Sequence, residues 1–328
     1  MSENAALLDV SGLVAGYQVK SASWLGKKRS VHAVSGIDLT LARGETLGIV
    51  GESGCGKSTL ARTLVGLLKP LSGSIHFDGR DVRSLPAKEA RPARRHIQMV
   101  FQDPFSSLNP RMRAGELISE GWEIHPGIVD RKDWAQEIST CLERVGLRPE
   151  HADRYPHQFS GGQRQRLCIA RALALKPQVI VCDEAVSALD VSIQAQILNL
   201  LEDLQRESGI SYIFISHDLG VVRHIAHRVA VMYLGTIVET GDADRVFTNP
   251  RHPYTKALLS AAPSMDDWMK GEDTEIILKG DVPSPLYPPT GCRFRTRCWK
   301  AQDRCATEPP ALELRSGEDA VACHFPLA

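Results

Sequence analysis

The stretch Gly51-Glu52-Ser53-Gly54-Cys55-Gly56-Lys57-Ser58 matches G-x-x-x-x-G-K-[ST] at every fixed position. An apolar run, Leu47-Gly48-Ile49-Val50, precedes it and reads as a buried strand. Behind it, Leu60, Leu64, Leu67 and Leu68 fall at i, i+4, i+7 and i+8, the spacing of one helix face. The glycines let backbone N–H groups curl around phosphate oxygens, and a helix N-terminus adds roughly half a positive charge. Lys57 is placed to reach the β- and γ-phosphates and the Ser58 hydroxyl to ligate Mg²⁺. The order strand, loop, helix separates this match from a ligand-free glycine-rich turn, and it reads as a nucleoside triphosphate site.

Further polar residues stand at the ends of apolar runs. Val179-Ile180-Val181-Cys182 suits the centre of a parallel sheet and ends in Asp183-Glu184. Beside a phosphate loop, two such carboxylates supply a Mg²⁺ ligand and a water-activating base; a solvated acidic turn is the plainer alternative. Tyr212-Ile213-Phe214-Ile215 ends in Ser216-His217-Asp218, and His217 reads as functional in that company. Ile97–Phe101 is another strand, broken by Gln102-Asp103-Pro104. Ser160 is a natural N-cap for a helix carrying Leu167, Ala170, Leu173 and Ala174 on one face, with Lys176-Pro177 as its stop. Two glycines in a first turn weaken a helix. Gly161 and Gly162 therefore point to an anion approaching that bare N-terminus, with Gln163 beside it. Tyr17 is either an ordinary strand aromatic or a platform for an adenine ring.

The elements positioning these residues alternate between strand and helix, which indicates a mostly parallel α/β sheet. Residues 7–42 read as strands interrupted by a polar insertion at Lys20–Ser30. Residues 73–79 read as a short strand, Arg91–Arg95 as a solvated basic surface, Arg113–Arg148 as helical, and Arg228–Thr240 as a hairpin around Leu234-Gly235. From about Asn249 the chain turns proline-rich and irregular, and a boundary is placed near 260. The chain has 328 residues, with 39 basic and 39 acidic side chains. That balance and the lack of a dense basic run argue against nucleic acid as a partner. The N-terminus lacks signal-peptide character, and no apolar run reaches the roughly 18–20 residues that span a bilayer. A cytoplasmic protein able to dock on a membrane protein is expected.

With these residues in view, the chain resembles the ATP-binding subunit of an ABC transporter. Tyr17, the loop at 51–58, Gln102, Ser160-Gly161-Gly162-Gln163-Arg164, Asp183-Glu184, the 187–190 loop with Asp190, and His217 occur in that family's order. Ala185 stands where the family usually has proline. The resemblance implies a P-loop nucleotide-binding domain of the ABC type, 1–259, with a mostly parallel sheet, an antiparallel β-subdomain and a helical subdomain at about 103–177. It implies that Gly51 to Ser58 and Thr59 bind ATP and that Ser58, Gln102 and Asp183 hold Mg²⁺ directly or through water. It further implies that Glu184 polarises the attacking water, that His217 contacts the γ-phosphate, and that Ser160–Gln163 close on the ATP of a second subunit. VFQDPFSSLNPRM, RYPHQFSGGQRQR, ISHDLGVV and NPRHPYTKALLSAAP are similar to the oligopeptide/dipeptide permease ATPases of bacteria, a group that also serves nickel, glutathione and other small solutes. Implied partners are two transmembrane permease subunits, a second and paralogous ATP-binding subunit, and indirectly a solute-binding protein. The implied location is peripheral, on the cytoplasmic face of the inner membrane. A non-transport ABC ATPase of DNA repair would need a long coiled coil between the phosphate loop and Ser160, and one of translation would carry two cassettes.

Eight cysteines divide into two groups. Cys168 and Cys182 read as core residues, Cys141 less clearly so, and Cys55 sits in the loop. Cys292, Cys298, Cys305 and Cys323 crowd into a small, irregular C-terminal extension, 260–328, spaced C-x5-C-x6-C-x17-C. Paired C-x2-4-C knuckles of zinc sites are absent. Four thiolates on irregular loops suit a [4Fe–4S] cluster, which members of the resembled subfamily carry there. Zinc, or free thiols, are the alternatives. Arg293, Arg295 and Arg297 alternate between the first two cysteines and could offset a cluster's negative charge.

Overall fold

The computed structural model describes residues 6–19, 29–82, 84–261, 275–316 and 319–328. Most of the polar insertion expected at Lys20–Ser30 lies outside them; its last two residues, Arg29 and Ser30, already belong to a strand.

Five apolar runs form the parallel core of one sheet: β3 (Thr46–Val50), β6 (Ile97–Val100), β7 (Val179–Asp183), β8 (Ser211–Ile215) and β9 (Arg228–Tyr233). They pair in the order β9-β3-β8-β7-β6, with Ile49 beside Ile215 and Ile215 beside Asp183. Buried on both faces, such strands read as continuous hydrophobic runs. Alternate residues serve opposite cores. Ile49, Val181, Ile213 and Met232 join one apolar cluster, whereas Val50, Ile180, Phe214 and Val231 join the other.

The first cluster is closed by an antiparallel sheet of β1 (Leu8–Val19), β2 (Arg29–Leu41), β4 (Ser72–Phe77) and β5 (Arg80–Asp81), paired β2-β1-β4-β5. In β2 the period of two expected at 37–41 is realised: Ile37, Leu39 and Leu41 are buried and Asp38 and Thr40 exposed. Helix α1 (Lys57–Leu64) lies between the two sheets, burying Leu60 and Leu64. It is shorter than its leucine spacing predicts. Gly66 adopts φ +75, and the Leu67 and Leu68 N–H groups fold back onto the Arg62 carbonyl. Leu67 is consequently 63% exposed rather than part of the helical stripe.

Helix α2 (Ala87–Arg94) precedes β6, and α3 (Pro104–Ser107) follows it and packs on α6 (Gly161–Leu173). The opposite face is covered by α4 (Ala114–Ile124), α5 (Trp134–Arg144), α6, α7 (Val191–Ser208) and α8 (Leu219–Ile225), whose apolar side chains join its cluster. Cys141, Cys168 and Cys182 are all buried there, and burial pushes the Cys182 thiol up to about 12. The hairpin expected at 228–240 is β9 followed by β10 (Thr236–Asp242), turning on Leu234 and Gly235, both at positive φ. After α9 (Ala243–Thr248) and α10 (Pro253–Ser260), the described residues from 275 onward are irregular until a short helix, Asp303–Thr307. It then returns as β11 (Glu313–Ser316) and β12 (Asp319–Val321), and β12 pairs antiparallel with β10 at the sheet edge. These strands were not anticipated within the irregular extension.

Candidate active site

Because β3, β6, β7 and β8 run parallel in adjacent register, their carboxyl ends share one edge, where ligand sites of open α/β sheets lie. Each end carries one expected residue or loop. Gly51 follows β3, Gln102 follows β6, Asp183-Glu184 close β7, and His217 follows β8.

The loop after β3 requires its glycines. An added Cβ at Gly51 would stand 2.1 Å from the Met232 carbonyl oxygen, and one at Gly56 2.0 Å from that of Ala33. Gly51, Gly54 and Gly56 also adopt positive φ. Lys57 is buried, and its Nζ donates to the carbonyls of Gly51 at 2.6 Å and Glu52 at 3.1 Å. The ammonium thus sits inside the curl of the loop, where phosphate oxygens would replace those carbonyls. Ser53 and Gly54 form the outer turn, both exposed. Cys55 is buried, and burial raises its thiol pKa.

Ser58 Oγ donates to Asp183 Oδ1 at 3.0 Å, so two of the three expected Mg²⁺ ligands already meet. Burial holds the Asp183 carboxyl above its ordinary pKa, the Ser58 hydrogen bond opposing that rise. Glu184 sits at φ +50, a region that costs a non-glycine residue about 1–3 kcal/mol. Its N–H donates to the Ile215 carbonyl of β8 at 3.0 Å. This conformation delivers the carboxylate between two groups: Gln102 Nε2 donates to Oε2 at 2.7 Å, and His217 Nδ1 lies 3.4 Å from Oε1. Tyr17, 39% exposed, accepts a 3.5 Å hydrogen bond from Thr59 Oγ1, which places its ring beside the first turn of α1.

Ser160 caps α6 as expected, and the structure adds a return bond from Gln163. Ser160 Oγ accepts from the Gln163 N–H at 3.3 Å, and Gln163 Oε1 accepts from the Ser160 N–H at 3.1 Å. Its glycines have two different reasons. An added Cβ at Gly162 would lie 2.7 Å from Ile193 Cγ2 of α7, a packing need inside the chain, whereas at Gly161 the nearest atom is 3.8 Å away. Only Gly161 is left for the close approach of an anion. Asp190 caps α7 with its backbone carbonyl and is exposed.

In the extension burial raises the pKa of Cys292, to about 11, and of Cys298 and Cys323, and the neighbouring thiols add to the rise. They are neighbours but do not form a ligand set: among the described residues no group of three or more His, Cys, Asp or Glu could hold a metal ion. The alternating arginines do not face the thiols as expected. Arg293 donates to the Leu234 carbonyl, Arg295 to Thr290, and Arg297 to Glu52 of the phosphate loop. Arg297 and Tyr254, whose hydroxyl accepts the Glu52 N–H at 2.9 Å, are site neighbours that the sequence reading missed. Tyr254 lies in the segment NPRHPYTKALLSAAP and Arg297 between two of the tail cysteines, but neither segment reads as reaching the phosphate loop. The alternation of the arginines was visible, but not where their side chains go.

Fold and site together define an α/β P-loop ATPase. Residues 34–187 match the family model described as ABC transporter, and residues 238–305 match the oligopeptide/dipeptide transporter C-terminal region. The chain is 54% identical over 320 residues to a probable peptide ABC transporter ATP-binding protein of Sinorhizobium fredii, covering 97% of this chain and 90% of that one. It is 50% identical over 325 residues to the oligopeptide transport ATP-binding protein OppF of Salmonella typhimurium (98% and 97% covered). To the dipeptide transport ATP-binding protein DppF of Haemophilus influenzae it is 48% identical over 323 residues (98% of each covered). Among solved structures, cbiO1 from Clostridium perfringens superposes with a TM-score of 0.64 at 30% identity, covering 75% of this chain and 92% of that one. The dimeric cassette MJ0796 superposes with 0.63 at 28% (72% and 98% covered). The chain belongs to the ABC transporter family. It is an ATPase, and its nucleotide is ATP with Mg²⁺. Among the described residues no helix is long and apolar enough to cross a membrane.

Proposed function

We propose that this chain is the ATP-hydrolysing subunit of an importer of di- and oligopeptides, acting through two permease subunits. The observation that carries this reading is the joining of a full set of hydrolytic residues to the oligopeptide/dipeptide C-terminal region at 238–305. Residues 1–259 are taken as the ATP-binding domain, with its helical part at about 103–177, and 260–328 as the extension.

In this reading Tyr17 stacks on the adenine, and Lys57 with the loop N–H groups binds the phosphates. Ser58, Gln102 and Asp183 hold Mg²⁺, which when bound neutralises charge on the phosphate oxygens. Glu184 accepts hydrogen bonding from the attacking water, and His217 orients it toward the γ-phosphate. Gly161 at the head of α6 meets the ATP of a second, paralogous subunit, with Asp190 beside it. A groove of about 280 Å³ lined by Met99, Glu120, Ile124, Arg171 and Leu175 offers the permease its seat. Gln102 follows the same strand as Met99, so motion of the helical part reaches Glu184 through it. The location is then peripheral, at the cytoplasmic face of the inner membrane, with a solute-binding protein outside.

For Cys292, Cys298, Cys305 and Cys323 a [4Fe–4S] cluster, with zinc as the alternative, is a finer proposal. It is supported by the donor chemistry and the proximity of the thiols, and not by their present spacing. Iron, zinc and acid-labile sulfide analysis of anaerobically purified protein decides it. For the transport reading, the test is uptake of labelled di- and tripeptides by cells carrying the chain or its Glu184→Gln variant. Loss of uptake with the variant is expected. Unchanged peptide uptake, with loss of nickel or glutathione uptake instead, overturns the peptide assignment.

A further inference from the structure

The C-terminal extension reaches back into the ATP site. Arg297 donates from Nη1 to Glu52 Oε2 at 2.7 Å and from Nη2 to Oε1 at 3.1 Å, although the residues are 245 apart in sequence. The Arg297 side chain is 9% exposed and that of Glu52 26%. Such a planar fork fixes the orientation of a carboxylate as well as offsetting its charge; an ammonium supplies charge without the fork. Arg293 and Arg295 bond elsewhere, so the contact is particular to Arg297.

Packing delivers the guanidinium. Phe294 is fully buried, with its ring centroid 5.2 Å from that of Tyr233 and 5.3 Å from that of Tyr254, which are themselves 4.6 Å apart. The Arg297 N–H turns back onto the Phe294 carbonyl at 3.0 Å, so the arginine stands one turn above this aromatic cluster. The Tyr233 hydroxyl is within electrostatic reach of Arg297 without hydrogen-bond geometry.

Glu52 is engaged at three points. Its N–H donates to the Tyr254 hydroxyl, its carbonyl accepts from Lys57 Nζ, and its carboxylate accepts the fork. A loop with three glycines at positive φ has little conformational preference of its own and gains shape from such outside contacts. An unpaired carboxylate there would also oppose the charge of a triphosphate.

We propose that Arg297 is a positioning residue of the ATP site, acting through Glu52, so that the cysteine-bearing extension completes the phosphate loop of this chain. The inference rests on the loop being the nucleotide site. Binding of a fluorescent ATP analogue with Mg²⁺ to the purified full-length chain measures that reading. The difference between variants and wild type measures this one.

Arg297→Ala is expected to weaken binding of the analogue about tenfold, a size typical of coupling between groups that share a site. Arg297→Lys is expected to recover part of the loss. In a Glu52→Ala background, Arg297→Ala is expected to change affinity by less than about twofold, because residues acting through one another are not additive. A packing role alone would give the same loss in both backgrounds. The proposal is overturned by wild-type affinity in Arg297→Ala, or by equal losses with and without Glu52. If Arg297→Ala does not fold, the same comparison with Arg297→Lys in the two backgrounds decides by the same criterion.

Discussion

Gln102 Nε2 donates a 2.7 Å hydrogen bond to Glu184 Oε2 and thereby ties the loop after β6 to the end of β7. The other carboxylate oxygen faces His217 at 3.4 Å, so Glu184 is held from both sides by neighbouring strand ends. The backbone of Glu184, at φ +50, keeps the carboxylate in that position.

Glu184→Gln keeps the size and hydrogen-bonding capacity of the side chain and removes its basicity. Steady-state phosphate release by the assembled transporter is expected to fall about 10²–10⁴-fold, the range of a general base. Affinity for ATP should be retained in a binding titration. Turnover near wild type would remove Glu184 from its proposed role.

Ser58→Ala removes the hydroxyl that donates to Asp183 and is proposed to ligate Mg²⁺. The Mg²⁺ concentration giving half-maximal ATPase activity is expected to rise by about 10–100-fold. Titration of activity against Mg²⁺ at saturating ATP checks this.

Gly162→Ala brings a methyl group within 2.7 Å of Ile193 Cγ2. Overpacking of this kind costs about 1–3 kcal/mol, read as a lower melting temperature. Adding Ile193→Ala, which removes the clashing carbon, is expected to recover part of the loss. No recovery would show that Gly162 answers to something other than α7.

His252 is fully buried, its Nδ1 accepts the Tyr254 N–H at 3.0 Å, and burial lowers its pKa to about 3. The unfolded chain takes up this proton near its ordinary value of about 6.5, the folded chain only near 3. The unfolded state thus binds more protons between those values, and stability falls as the pH drops through that window, by about 1.4 kcal/mol per unit at most. His252→Asn keeps an acceptor at this cap and cannot titrate. Its melting temperature should fall less than that of wild type between pH 6.5 and pH 5.

Much of the site was legible because its chemistry sits where local patterns end. Apolar runs of strand length stop at Val50, Cys182 and Ile215, and the residue following each is polar or glycine. The Ser160 cap and the Leu234-Gly235 turn were equally local. The leucines after Gly56 misled, because their spacing continues past Leu64 whereas the chain leaves the helix at Gly66. A hydrophobic period records what a helix would bury but not where a positive φ stops it.

By itself the sequence determined the identity of the parallel strands, the residues at their carboxyl ends, the nucleotide class and the family. These follow from short-range spacing and residue chemistry. Only the tertiary structure decided which ends are neighbours: the strand order that sets Gln102 against Glu184, and Ser58 against Asp183, across 82 and 125 positions of chain. It also redirected the arginines of the cysteine segment. Arg297 reaches Glu52 because Phe294 buries itself against Tyr233 and Tyr254, and no pattern within either segment encodes that packing.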